Sequence, residues 1–106
     1  MTHYAIAHMR SVQMGDDIVE YLERIDSTLA PFDGHFIVHG DAPESVEGEW
    51  VGHLVVIEFP SYDHARGWYD SPEYQKILPL RTENSDSVTM LVAGVDRTHR
   101  ATDVLS

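Results

Sequence analysis

The stretch Leu54 to Gln75, LVVIEFPSYDHARGWYDSPEYQ, decides the architecture. It reads as a buried strand, a sharp stop, and two short helices carrying Trp68, Tyr69 and Tyr74. Leu54 to Ile57 is continuously apolar, which is the pattern of a strand covered on both faces rather than wetted on alternate residues. Pro60-Ser61 ends that strand and supplies an N-cap. Ser71-Pro72 repeats the device, with proline at the first helical position, where a missing N–H costs nothing. Ala65, Trp68 and Tyr69 fall on one helical face, which assigns Trp68 to packing on the sheet.

Toward the N-terminus, His3 to Arg10 (HYAIAHMR) has strand character, with Ala5, Ala7 and Met9 on one face and Tyr4, Ile6 and His8 on the other. Gly15-Asp16-Asp17 opens a helix, with acids in the first turn where the helix dipole favours them. Ile18, Leu22, Ile25 and Leu29 form its apolar stripe, Glu20 and Arg24 an i,i+4 ion pair, and Pro31 and Gly34 its stop. Phe36 to Gly40 reads as a short second strand, Asp41 to Glu49 (DAPESVEGE) as an acidic loop, and Val51 to Phe59 as the third strand. Pro79 is expected to bend or end the last helix. Ser87 to Val95 is the final strand. Asp96 to Ser106 is polar, lacks an apolar pattern, and reads as a mobile C-terminal tail behind a single domain of residues 1–95.

The order β-α-β-β-α-β is the ferredoxin-like plan of the α+β class, with first and third strands side by side in an antiparallel sheet and both helices on one face. The continuous apolar run of the third strand then needs cover on its other face, and one chain has no element left to supply it. A second copy does. The expectation is a homodimer whose sheets face each other.

Composition narrows the partners. In 106 residues, eighteen acids face seven bases, for a formal net charge of −11. Such a surface repels phosphate backbones and anionic membranes, so neither nucleic acid nor a membrane is an expected partner. Cysteine is absent, which excludes disulfides, thiolate nucleophiles and cysteine metal sites. No signal peptide is read at Met1-Thr2-His3-Tyr4, and no apolar run approaches the roughly 20 residues of a membrane span. Cytoplasmic is the default location.

Several segments resemble the domain of unknown function 1330 family of the dimeric alpha-beta barrel superfamily. These are Val46 to Trp50 (VEGEW), Val55 to Ser61 (VVIEFPS), Ala65 to Gln75 (ARGWYDSPEYQ) and Leu80-Arg81. The resemblance covers roughly residues 3 to 95. It implies a ferredoxin-like protomer, a two-sheet barrel dimer, and a ligand cleft between sheet and helices. Superfamily relatives include cofactor-independent monooxygenases, haem-degrading enzymes, isomerases and small-ligand sensors, so fold alone does not choose a reaction. Family members tend to carry an arginine and paired glycines at the end of the second strand, where this chain has His39-Gly40-Asp41. A haem-handling oxygenase is disfavoured, because no first-strand asparagine matches that group's polar pocket.

The residues that could carry chemistry each have a structural alternative. Seven histidines invite a metal site, but none forms a His-x-x-x-His or Glu-x-x-His helical pair. His35 and His39, on a strand, would stand about 13 Å apart. No metal is expected. His8, on a central strand, is the leading general acid/base, joined by His39 if both face the helices; the alternative is a packed or interface histidine. Glu58 is either a desolvated base or an ion-pair partner of Arg66 or Arg81. Arg66 and Arg81 would grip a carboxylate or neutralise nearby acids. Tyr69 and Tyr74 are candidate cleft residues, and Trp50 would cap one end of the barrel or pocket. No phosphate-cradling loop, dinucleotide fingerprint or nucleophile elbow appears, so no cofactor is implied. The expected function is binding of a small organic molecule, with monooxygenase- or isomerase-like acid/base chemistry. The alternative is a non-catalytic ligand-binding or assembly module.

Overall fold

The computed structural model describes all 106 residues. Four strands, β1 (His3–Val12), β2 (His35–Val38), β3 (His53–Phe59) and β4 (Ser85–Ala93), form one antiparallel sheet in the order β2-β3-β1-β4. Three helices, α1 (Asp16–Leu29), α2 (Tyr62–Asp70) and α3 (Pro72–Thr82), complete the β-α-β-β-α-β plan, the second helical crossover being split in two. The expected α+β, ferredoxin-like fold is the observed one. No helix is long and apolar enough to cross a membrane.

Local chemistry sets the boundaries. Ser61 and Ser71 cap α2 and α3 as their positions require, each side-chain oxygen accepting from a backbone N–H three residues on, at His64 and Tyr74. The Glu20–Arg24 pair forms at 2.7 Å. Pro79 does not end α3, which continues to Thr82. Its last turn is held from outside the helix: Glu83 N–H bonds Pro79 C=O, Ser85 Oγ donates to Arg81 C=O and Asn84 Nδ2 to Leu80 C=O. The second strand stops at Val38, two residues short of its expected end, so His39 lies beyond the sheet. Within the tail, Ala101–Leu105 forms a short 3-10 turn.

Register assigns the two faces of the sheet. Across β1, Ala5 stands between Ile57 and Leu91, and Ala7 between Val55 and Thr89. These face the helices. Tyr4, Ile6 and His8 alternate to the opposite face with their partners Glu58, Val56 and Leu54 on β3 and Val92, Met90 and Val88 on β4. The Cα atoms span 46 × 36 × 19 Å, a slab thick enough for one sheet and one helical layer. The second sheet face is therefore uncovered within one chain, and Val88, Met90 and Val92 are exposed on it.

The core lies under α2 and α3. Phe59, Trp68, Tyr74 and Ile77 are the largest fully buried side chains, and Trp68 packs on both Phe59 and Tyr74. The indole N–H of Trp68 donates to Thr28 Oγ1 at 3.0 Å, which ties α2 to α1. Helix α1 is held mainly against α3, while α2 rests on the strands. Because α1 stands off from the sheet, a gap remains between them.

Candidate functional site

That gap is a cavity of about 600 Å³, and 14 of its 22 lining residues are hydrophobic. Two small side chains, Ala5 and Ala7, form the sheet side where larger residues would fill the space. Val55 and Ile57 flank them, and Ile18, Leu22 and Ile25 project from α1. Leu22, expected in the apolar stripe, is partly exposed because it sits at the edge of this opening and not over packed core. At one end, the exposed Arg10, His39 and His53 line the opening.

A second pole, on the α3 and β4 side of the cavity, is polar and buried. The hydroxyls of Tyr21 on α1 and Tyr74 on α3 share a hydrogen bond of 2.7 Å. Arg81, only 6% exposed, lies with its guanidinium carbon 5.9 Å from the Tyr21 ring centre and donates from Nη1 to Ser87 Oγ at 2.8 Å. Thr89 Oγ1, also buried, has no hydrogen-bond partner in the protein. Burial pushes the Tyr21 phenol well above its ordinary pKa, and the neighbouring Tyr74 adds to the effect, so Tyr21 remains a neutral hydroxyl. Burial works against the charge on Arg81, but the phenol oxygens of Tyr74 and Tyr21, which face the guanidinium and accept hydrogen bonds from it, outweigh that and hold it protonated, its pKa above the usual arginine value.

The sequence candidates separate into two groups. His39, Tyr74 and Arg81 line the cavity, with the His39 ring tilted against Phe36, their centres 4.6 Å apart. His8 does not join His39. The two-residue alternation of β1 turns it to the uncovered face, where its ring stacks on Trp50 at 4.2 Å and Nε2 meets Val51 C=O at 2.8 Å. Trp50 thus covers His8 on the outer face and not the pocket. Glu58 shares that outer face, paired in register with Tyr4 and His35, and makes no ion pair with either arginine. Arg66 is exposed on α2 and forms two 2.8 Å bonds to Asp70, one turn away, beneath which Tyr69 lies. Arg66 and Tyr69 are outside the cavity lining. No group of three metal-ligating side chains converges anywhere in the chain.

Tyr21 and Thr89 were not singled out by sequence reasoning. Tyr21 had a readable signal: Ile18, Tyr21, Ile25 and Thr28 follow the 3, 4, 3 spacing of one helical face, and all four are buried. Thr89 had none, because a threonine in a strand is ordinary until the residues opposite it are known.

The chain belongs to the family described as domain of unknown function (DUF1330), whose model matches residues 2–95. No curated protein matches the sequence. Among solved structures it is similar to RPA0582, a protein of unknown function from Rhodopseudomonas palustris, at 14% identity over 90% of this chain and 83% of that one, with a TM-score of 0.68. A dimeric ferredoxin-like protein of unknown function from Jannaschia sp. CCS1 aligns with the same TM-score of 0.68, at 10% identity over 89% of this chain and 100% of that one. SnoaB, a cofactor-independent oxygenase from Streptomyces nogalater, aligns at 10% identity with a TM-score of 0.58, over 90% of this chain and 92% of that one. At these identities the likeness is one of fold.

Proposed function

We propose that this member of the DUF1330 family binds a small, largely apolar organic molecule between its sheet and α1, as one half of a homodimer joined through the uncovered sheet faces. The observation that carries the reading is the cavity itself. Its volume of about 600 Å³ and its apolar walls with one polar pole are those of a small-molecule site and not of a packing defect. The homodimer is supported by the apolar outer face, where Val88, Met90 and Val92 are exposed beside the half-buried Ile6 and Leu54, a patch that a soluble monomer rarely leaves bare. The Jannaschia relative is itself dimeric.

Native mass spectrometry of gently purified protein tests both parts. The expected species is a dimer of 12.0 kDa chains, each carrying a bound organic mass. Ala7→Phe, which places a ring in the cavity, should remove that mass and keep the dimer. A bound mass that survives Ala7→Phe would put the molecule elsewhere, and a bare monomer would overturn the reading.

Cofactor-independent acid/base chemistry on the bound molecule is the second reading, and one observation favours it. His39 lines the cavity beside its opening, and a histidine exchanges protons near neutral pH. On this reading His39→Asn abolishes turnover of the molecule identified by mass while leaving its binding intact.

A further inference from the structure

We infer that the molecule held in the cavity is an organic monoanion, an apolar body ending in one carboxylate, and that Arg81, Thr89 and the Tyr21–Tyr74 pair receive the carboxylate. The inference rests on the small-molecule reading above and names the class of ligand for the same site.

The first observation is the sign of the charge around the cavity. Eighteen acids outnumber seven lysines and arginines along the chain. Yet no aspartate or glutamate is among the lining residues, while Arg10, Arg81, His39 and His53 are. The second is Arg81. A guanidinium taken out of water is normally matched by a carboxylate, because an unmatched buried charge is costly. Arg81 is buried, enters no ion pair, and is met by the hydroxyls of Ser87, Tyr21 and Tyr74 and by no carboxylate.

The third observation is an excess of donors at the same pole. Tyr21 and Tyr74 have two hydroxyl hydrogens between them, and their mutual bond uses one. Thr89 Oγ1 is buried against the cavity without a partner, so its hydrogen is also unspent. Arginine accepts nothing. Spare donors with no acceptor call for oxygen atoms bearing negative charge. A single buried guanidinium at the end of apolar walls, with Arg10 exposed at the opening, suits one carboxylate and leaves a phosphate, with its higher charge and wider hydration, poorly served.

The test is isothermal titration calorimetry at neutral pH with matched acid and amide probes: benzoate against benzamide, 2-naphthoate against 2-naphthamide, and octanoate against octanamide. Wild-type protein should bind at least one acid roughly 10- to 100-fold more tightly than its amide, the increment of charge-assisted hydrogen bonds. In Arg81→Gln the acid should fall to the level of the amide, whose affinity stays the same. Equal affinity for acid and amide in the wild type would overturn the anion inference and leave the small-molecule site standing. Failure of all six probes would overturn both. Should Arg81→Gln not fold by circular dichroism, Thr89→Val carries the test. It should weaken acid binding roughly 2- to 10-fold without lowering Tm, since it deletes only an unpaired hydroxyl. Unchanged acid affinity in Thr89→Val would count against the inference.

Discussion

The phenol oxygens of Tyr21 and Tyr74 lie 2.7 Å apart, joining the first helix to the last at the buried end of the cavity. This bond matters because α1 has little direct purchase on the sheet. Its position depends on α3 and on the Thr28–Trp68 bond. The same contact therefore holds the cavity open and supplies part of its polar pole.

A double-mutant cycle should detect that pairing. Tyr21→Phe and Tyr74→Phe each strand one buried hydroxyl beside Arg81 and should each cost about 1–3 kcal/mol in urea unfolding. The double variant removes both partners and should cost clearly less than the sum, with coupling of at least about 0.5 kcal/mol. Additive losses would show that the two hydroxyls act independently.

Stability should also decline at alkaline pH. The folded Tyr21 pKa is raised by burial, so the native state keeps a proton that the unfolded chain releases near pH 10. The contribution is fully present below that value and is lost as pH rises toward the folded pKa. Each unit above about 10 should lower the unfolding free energy by about 1.4 kcal/mol through this one group. Tyr21→Phe should flatten the profile by that amount, and an unaltered slope would refute the assignment.

Gly52 and Gly40 offer a contrast near the cavity's opening. Both have positive φ, at 89° and 104°. A Cβ on Gly52 would collide with the Met9 carbonyl oxygen, whereas one on Gly40 meets nothing within 4 Å. Gly40→Ala should cost only the left-handed backbone penalty of roughly 1–2 kcal/mol. Gly52→Ala must in addition push β3 away from β1. It should lower Tm well beyond Gly40→Ala in paired thermal melts, and equal melts would contradict the close approach.

The outer face should respond separately from the cavity. His8→Ala removes the ring stacked on Trp50, so it should change tryptophan emission while leaving affinity for any cavity probe within about twofold, a margin of roughly 0.4 kcal/mol. Met90→Asp puts a charge at the centre of the uncovered face and should give a monomer in sedimentation velocity. A Met90→Asp dimer would send the interface elsewhere, and loss of cavity binding in His8→Ala would restore His8 to the site.

By itself the sequence determined the elements, their order and the sheet, because these follow from local causes: period-two and period-3.6 patterning, two Ser caps, and Pro and Gly at the breaks. It assigned Trp68 to the core, and it set Ala5, Ala7 and Met9 on the face opposite His8. It also yielded a list of polar residues able to do chemistry. Tertiary structure alone decided which of them meet. Whether β1 shows His8 or Ala7 to the helices depends on the side from which the helices pack, and the residues of one strand do not state that. Tyr21, Arg81 and Thr89 come from a helix, another helix and a strand, up to 68 positions apart in the chain. Their convergence exists only after α1 has docked on α3. The cavity is subtler still, since it is made by what is missing: small alanines on β1 beneath a helix that is held by its neighbour and does not descend onto the sheet.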